Sequence, residues 1–330
     1  MNGRVAVPVA VIVVNFNSAA YLARCLDALS HQTFRAFRTI VVDNASTDGS
    51  DATAREREEV EFIGAGRNTG FAAGNNLGLR HADGAQWVVL LNPDAFPSPD
   101  WLERLLAAAA TEPQFAFFGS RMLLAEAPEV LDGTGDVHHV SGLSWRRDHG
   151  VPARLGVATG GEIFGPCAAA AMYARQAVDE AGGFDERYFC YHEDIDLAFR
   201  LRLLGYRCRY VPDAIVWHVS SGIAGRRSDF ATYHGQRNMV WTFVKDMPGV
   251  TFWLYLPLHL AANVAAIAVC AARGQLGVVL RAKRDAICGV ADAWRARAEI
   301  QKSRRVPPAK ILRVLARGWL ALMRRGGPAG

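Results

Sequence analysis

The residues of this 330-residue chain that could do chemistry are carboxylates standing where strands should end. Asp94 follows the apolar run of "WVVLLNPD", and Asp43 follows that of "RTIVVD". A carboxylate at the end of a buried strand is costly to desolvate unless something engages it. Asp43 is either an ordinary turn aspartate or an acceptor for a nucleotide base or ribose, as acids after Rossmann-type strands can be. Asn15 and Asn17 of "NFN" add amide donors and acceptors nearby. Asp94 with Asn92 forms either an Asx-type turn or a set of oxygen ligands for a divalent cation, because Mg2+ and Mn2+ favour carboxylate together with phosphate oxygens. His218, ending a short strand in "IVWH", is either structural or an imidazole ligand for a metal.

The densest stretch is "GGFDERYFCYHEDIDLAFRLRLLGY". Glu193 and Asp194 fall at a helix start, where the dipole favours an ionised carboxylate. An ionised carboxylate on a pocket wall is what a general base requires. A capping cluster is the plain alternative. Asp196 and Arg200, spaced i,i+4, are expected to pair. In "GRNTGFAAGNNLG", Asn68 or Thr69 caps a helix, or the free N–H groups of that helix start receive a phosphate.

The elements that must position these groups alternate along the first half. Strand-like runs cover 9–17, 38–46, 60–66 and 87–92. Helix-like runs cover 19–29, 46–59, 69–82 and 98–110, with Ser46 and Asp48 as expected caps of the second and Pro99 near the start of the fourth. Apolar strands separated by helices predict an α/β fold, a Rossmann-like, mostly parallel sheet flanked by helices. Ligands of such sheets bind beyond the carboxyl ends of the strands, where Asn15, Asp43, Asn68 and Asp94 fall. From 123 to 165 the pattern loosens into Gly, His and Ser with three arginines, which predicts a hairpin and loops lining a site. "CAAAAMYAR" reads as a strand, and 194–204 and 233–243 as helices. Residues 250–272 are apolar and long enough to cross a bilayer, for which ~20 residues suffice, although Pro257, His259 and Asn263 interrupt them. These readings divide the chain into a catalytic domain, 1–245, and an apolar, basic helical C-terminal extension, 246–330.

A hydrophobic content of 51% excludes a disordered chain. The six cysteines form no C-x-x-C pair and read as reduced thiols of a cytoplasmic protein. The N-terminus lacks a basic region and a cleavage site, so it reads as a first strand rather than a signal peptide. The net charge of +5 is uneven: from Arg273 onward 14 Lys/Arg stand against 3 Asp/Glu, so the rest is net acidic. Without zinc-finger spacing or an RNP pattern, nucleic acid is not the expected partner of this tail. An anionic membrane surface fits better, because the segment before the tail is apolar. No G-x-G-x-x-G follows the first strand, which argues against NAD, and no Gly-rich, Arg-containing loop follows it, which argues against a nucleotidyltransferase.

Taken in order, "VVNFN", "VDNASTDGS", "RNTGF", "LNPD", "GGFDERYF…EDIDLAFR" and "WH" resemble the family-two inverting glycosyltransferases of GT-A type. The tail, from "YHGQRNMVW" through "RAKRDAICGVADAWRARAEIQKSRR", is similar to bacterial rhamnosyltransferases of cell-surface polysaccharide synthesis, and the resemblance spans Val9 to about Arg305. It implies a nucleotide-diphosphate sugar donor whose base is bound by Asp43 with Asn15 and Asn17 close by, and whose nucleotide or surrounding loop is held by Asn68. Asp94 would be the main carboxylate for Mg2+ or Mn2+, with Asn92 standing where the family often has the first aspartate of D-x-D. Asp194 of the Glu193–Asp194 pair would be the catalytic base, and His218 would approach the metal or diphosphate. The same resemblance implies dTDP-L-rhamnose as donor, with UDP-linked sugars as the alternative, a glycan or lipid-linked acceptor, and a place at the inner face of the plasma membrane. A non-catalytic nucleotide-sugar-binding module is the competing reading and would not need Asp194. Self-association stays open.

Overall fold

The computed structural model describes residues 8–156, 159–220, 228–318 and 321. Strand β1 (Val9–Asn15) is buried at every position. Ile12 and Val14 face one core with Ile40 and Val42, while Val11 and Val13 face another with Val41 and Val89. Helix α1 (Leu22–Ser30) buries Leu22, Cys25, Leu26 and Leu29 at helical spacing and leads into β2 (Phe37–Asp43). Helix α2 (Ser50–Arg55) is much shorter than the expected 46–59. Gly49 enters it at φ 86°, Asp48 Oδ1 accepts from Ser50 N at 3.0 Å, and the like charges of Glu56, Glu58 and Glu59 follow its end. Ser46 does not cap it; its hydroxyl donates to Asp43 Oδ1 at 2.6 Å.

Next come β3 (Val60–Gly64), α3 (Gly70–His81), β4 (Trp87–Leu91), β5 (Ala95–Pro97), α4 (Trp101–Thr111) and β6 (Phe117–Leu124). A Cβ on Gly78 would lie 2.5 Å from Ile12 Cγ2, so glycine is what lets α3 settle onto β1. The looser region supplies β7 (Leu131–Gly133), the hairpin of β8 (Asp136–His138) and β9 (Ser144–Arg146), and β10 (Gly161–Ile163). Then follow β11 (Ala170–Ala174), α5 (Arg175–Glu180), α6 (Glu193–Leu203), β12 (Cys208–His218) and α7 (Asp229–Asp246).

Eight strands run in the order β10-β12-β6-β11-β4-β1-β2-β3, with β5 added on β12 and β7 on β6. β4, β1, β2 and β3 are parallel, whereas β11 is antiparallel to both β4 and β6. β12 is eleven residues long rather than a short strand, and its register shifts between Val211 and Ile215, around Pro212, because proline cannot donate to a ladder.

The chain ends in α8 (Gly249–Ala272), α9 (Leu276–Cys288), α10 (Val290–Ser303) and α11 (Pro308–Val314). α7 packs against α6, α9 and α10. Buried charge joins α6 to α7: Asp196 is 2.7 Å from Arg200 and 2.5 Å from Lys245, which also meets Asp185 at 2.5 Å. The i,i+4 pair expected from sequence is therefore part of a larger network.

Candidate active site

A cavity of about 270 Å³ opens beyond the carboxyl ends of β1 and β4, and Asn68, Asn92, Asp94, Glu193, Asp194 and His218 all line it. Antiparallel pairing sets Ala95 of β5 opposite His218 of β12. That register brings His218 Nε2 to 3.2 Å from Asp94 Oδ1. On its other side, His218 Nδ1 lies 2.8 Å from Asp132 Oδ2. Asp132 is fully buried on β7, ion-paired with Arg146, and 3.3 Å from His149 Nδ1. Burial alone would raise the Asp132 carboxyl, but Arg146, His149 and His218 hold it well below the usual carboxylate range. Burial would likewise depress the His218 imidazole, yet its bond to Asp132 and the negative charge of Asp94 beside it raise it.

The donor set suits a hard divalent cation. Asn92 Oδ1, Asp94 Oδ1 and His218 Nε2 are buried without a formed hydrogen bond, the Asp94–His218 approach lacking the alignment of one. An unmet buried polar atom costs about 1–3 kcal/mol. Carboxylate and amide oxygens with an imidazole satisfy Mg2+ or Mn2+. Asp136, Cys167 and Asp194 also bring possible ligand atoms within 4.8 Å of one another. A cysteine sulfur is a soft ligand and suits a hard cation poorly.

The start of α6 also lines the cavity. Phe189, Tyr191 and His192 approach it at φ 64°, 67° and 67°, a left-handed region that non-glycine residues occupy only when held. Asn238 of α7 holds them, its Nδ2 donating to the carbonyls of Tyr188, Cys190 and Tyr191 at 3.0, 3.0 and 2.7 Å. Asp194 Oδ1 accepts from Ile195 N at 2.8 Å, and Oδ2 from Ala168 N at 3.4 Å. The helix start was expected to keep Glu193 and Asp194 ionised, but burial outweighs it. Burial raises the Asp194 carboxyl, and burial with repulsion from Asp194 raises Glu193 further. A carboxyl raised in this way accepts a proton more readily than an exposed one.

Not every expected residue reaches the cavity. Asn15 is fully buried, with Nδ2 donating to Asp43 Oδ1 at 2.7 Å and to Ser50 Oγ at 2.9 Å. Asp43 is engaged by Asn15 and Ser46, and exposed Asn17 braces a turn by accepting from Thr47 N at 2.8 Å. None of these three lines the cavity, to which their neighbours Val14 and Phe16 contribute. The α3 amides expected to receive phosphate already have partners: Gly70 N donates to Asn68 Oδ1 at 3.0 Å, and Phe71 N and Ala72 N donate to the Phe189 carbonyl at 2.7 and 3.2 Å. Sequence reasoning missed Asp132, Asp136 and Arg146. The signal was "LDGTGD", two acids around a Gly-Thr-Gly turn, in a stretch too irregular to assign to strands.

This sheet, with its cavity beyond the parallel strands and helices behind it, is that of the GT-A glycosyltransferases. A mannosyltransferase from Pyrobaculum calidifontis, solved with GDP-Man and Mn2+, aligns with 92% of this chain and 86% of its own at TM-score 0.54 and 20% identity. S. aureus TarS (residues 1–349) aligns with 89% of this chain and 90% of its own at TM-score 0.53 and 15% identity. Residues 10–182 match glycosyl transferase family 2, and the chain belongs to that family. The N-acetylglucosaminyl-diphospho-decaprenol L-rhamnosyltransferase of Mycobacterium tuberculosis is 31% identical over 255 residues, covering 68% of this chain and 80% of that one. The pre-mycofactocin glycosyltransferase of the same organism is 30% identical over 212 residues, covering 64% of this chain and 42% of its own length.

Proposed function

We propose that this glycosyltransferase moves L-rhamnose from dTDP-L-rhamnose to a hydroxyl of a lipid-linked glycan, with inversion, at the cytoplasmic face of the plasma membrane. The observation that carries the chemistry is one cavity lined both by Asn92, Asp94 and His218 and by Glu193 and Asp194. The rhamnosyl donor and the lipid-linked acceptor are supported by the likeness to the mycobacterial rhamnosyltransferase.

Asn92, Asp94 and His218 would hold Mg2+ or Mn2+, which when bound neutralises charge on a departing diphosphate. The Asp194 carboxylate takes the proton of the acceptor hydroxyl. That oxygen attacks the anomeric carbon from the face opposite the diphosphate, the carbon–oxygen bond to phosphate breaks, and the nucleoside diphosphate leaves with the electron pair. Asp132 and Arg146 hold the His218 ring in place. Asp43, with Asn15 and Asn17 bracing the turn around it, would form the nucleotide end of the donor site, and Asn68 would border the cavity there.

Thermal unfolding and donor cleavage against a panel of dTDP-, UDP- and GDP-sugars, each with Mg2+ and with Mn2+, test the reading. A preferred dTDP-L-rhamnose should raise the melting temperature by mass action. Preference for a UDP-sugar would overturn the rhamnosyl assignment, and binding without cleavage or transfer would overturn the catalytic one.

A further inference from the structure

Helix α8 carries no Asp, Glu, Lys or Arg over its 24 residues. Its length, about 36 Å at 1.5 Å per residue, is enough to cross a bilayer. Its packing is not that of a spanning helix. One stripe is fastened to the body of the enzyme: Phe252, His259 and Cys270 are buried along it. The His259 ring stacks on Phe243 at 4.0 Å, and its Nδ1 lies 2.8 Å from the Ser141 carbonyl. Asn263 Nδ2 closes onto the His259 carbonyl at 2.8 Å. A helix so attached could cross a membrane only by taking a polar body in with it.

The opposite stripe is bare. Exposed residues recur in pairs at 253/254, 257/258, 260/261, 264/265 and 268/269, and all of them are apolar. Val250, Trp253, Leu254 and Val264 are 73, 62, 65 and 68% exposed. A contiguous apolar face of this extent on a folded protein marks an interaction surface.

Cations sit at both ends of the face. Arg273 is exposed where α8 stops. At the other end, Trp253 and Trp294, with ring centroids 6.2 Å apart, help wall a cavity of about 440 Å³ that Arg297, Gln301 and Arg304 also line. Arg297 is tied to the Val244 and Met247 carbonyls, while Arg304 Nη1 is buried without a hydrogen-bond partner. Apolar side chains bordered by interfacial tryptophans and arginines suit the headgroup–acyl boundary of an anionic bilayer. A second copy of the chain fits less well, because the basic extension would face another of like charge.

We propose that α8 lies flat against an anionic phospholipid bilayer, its bare stripe in the acyl boundary and a lipid phosphate at the Arg304 cavity. This does not depend on which sugar the enzyme moves. Flotation of the full chain with phosphatidylglycerol-containing vesicles, and with pure phosphatidylcholine vesicles, tests it. Wild type should float with the former, with the bound fraction falling as salt rises. The triple variant Leu254→Ser, Leu258→Ser, Val264→Ser should bind about tenfold less with an unchanged unfolding midpoint, since each side chain is exposed. Arg304→Glu should weaken binding about fivefold on anionic vesicles alone. Alkaline carbonate should release the wild-type protein. A wild type that stays unbound, or a triple variant that floats like wild type, would overturn the proposal. So would resistance to carbonate, which means spanning, or a dimer that the triple variant dissociates with flotation unchanged.

Discussion

In the role proposed for it, Asp194 must give up its proton before it can take one from an acceptor, and its surroundings resist that loss. Burial raises its carboxyl, so the basic form forms only at higher pH. The acid limb of the kcat/KM profile is therefore expected above pH ~4, the ordinary aspartate value, and a limb at or below that value would contradict the assignment. Asp132 behaves in the opposite sense. Its carboxyl is depressed by Arg146 and its imidazole neighbours, so the stability it contributes is complete above the unfolded pKa and is lost as pH falls through the folded one. Asp132→Asn should cost about 3 kcal/mol at neutral pH by leaving Arg146 without its buried partner. Urea unfolding at a series of pH values should show the gap between wild type and variant closing in acid; a gap independent of pH would refute this role. Neither acid shift was legible from spacing. The helix start at Glu193 was visible in the sequence, but the desolvation that overrides it depends on residues far away in the chain.

Elements carry the next set of constraints. Asn238, on α7, is the pin of the left-handed segment before α6. Asn238→Ala should destabilise by about 1–3 kcal/mol through unmet carbonyls and lower kcat more than it raises KM; unchanged kcat in a folded variant would show that the pin does not position the base. Gly78→Val drives a side chain into Ile12 and should cost at least ~1–3 kcal/mol in urea unfolding. The parallel strands were legible because Val9–Val14, Ile40–Val42 and Val88–Leu91 are apolar without interruption, which only a sheet covered on both faces produces. The antiparallel entry of β11 was not, since "AAMYA" reads the same in either direction. The full length of β12 was hidden by Pro212, which sits at a register shift rather than ending the strand.

Across the whole molecule, the site is assembled from segments that sequence reading could order but not join. Asn92 and Asp94 end one strand, Glu193 and Asp194 begin a helix about a hundred residues on, and both pairs line one cavity. The bond between His218 and Asp132 bridges a separation of 86 residues, which no local period encodes. Asp43 and Asn15 were legible as strand-end residues, whereas their engagement with each other emerges only from the pairing of β1 with β2. In the proposed mechanism Asp194 acts on the acceptor while Asp94 serves the donor. Calorimetric titration of dTDP-L-rhamnose with Mn2+ into wild type, Asp194→Asn and Asp94→Ala, paired with transfer rates, tests it most directly. Asp194→Asn should bind the donor as wild type does and lose about 10²–10⁴-fold in transfer, while Asp94→Ala should lose the metal-dependent part of binding. Transfer by Asp194→Asn at close to the wild-type rate would contradict the account.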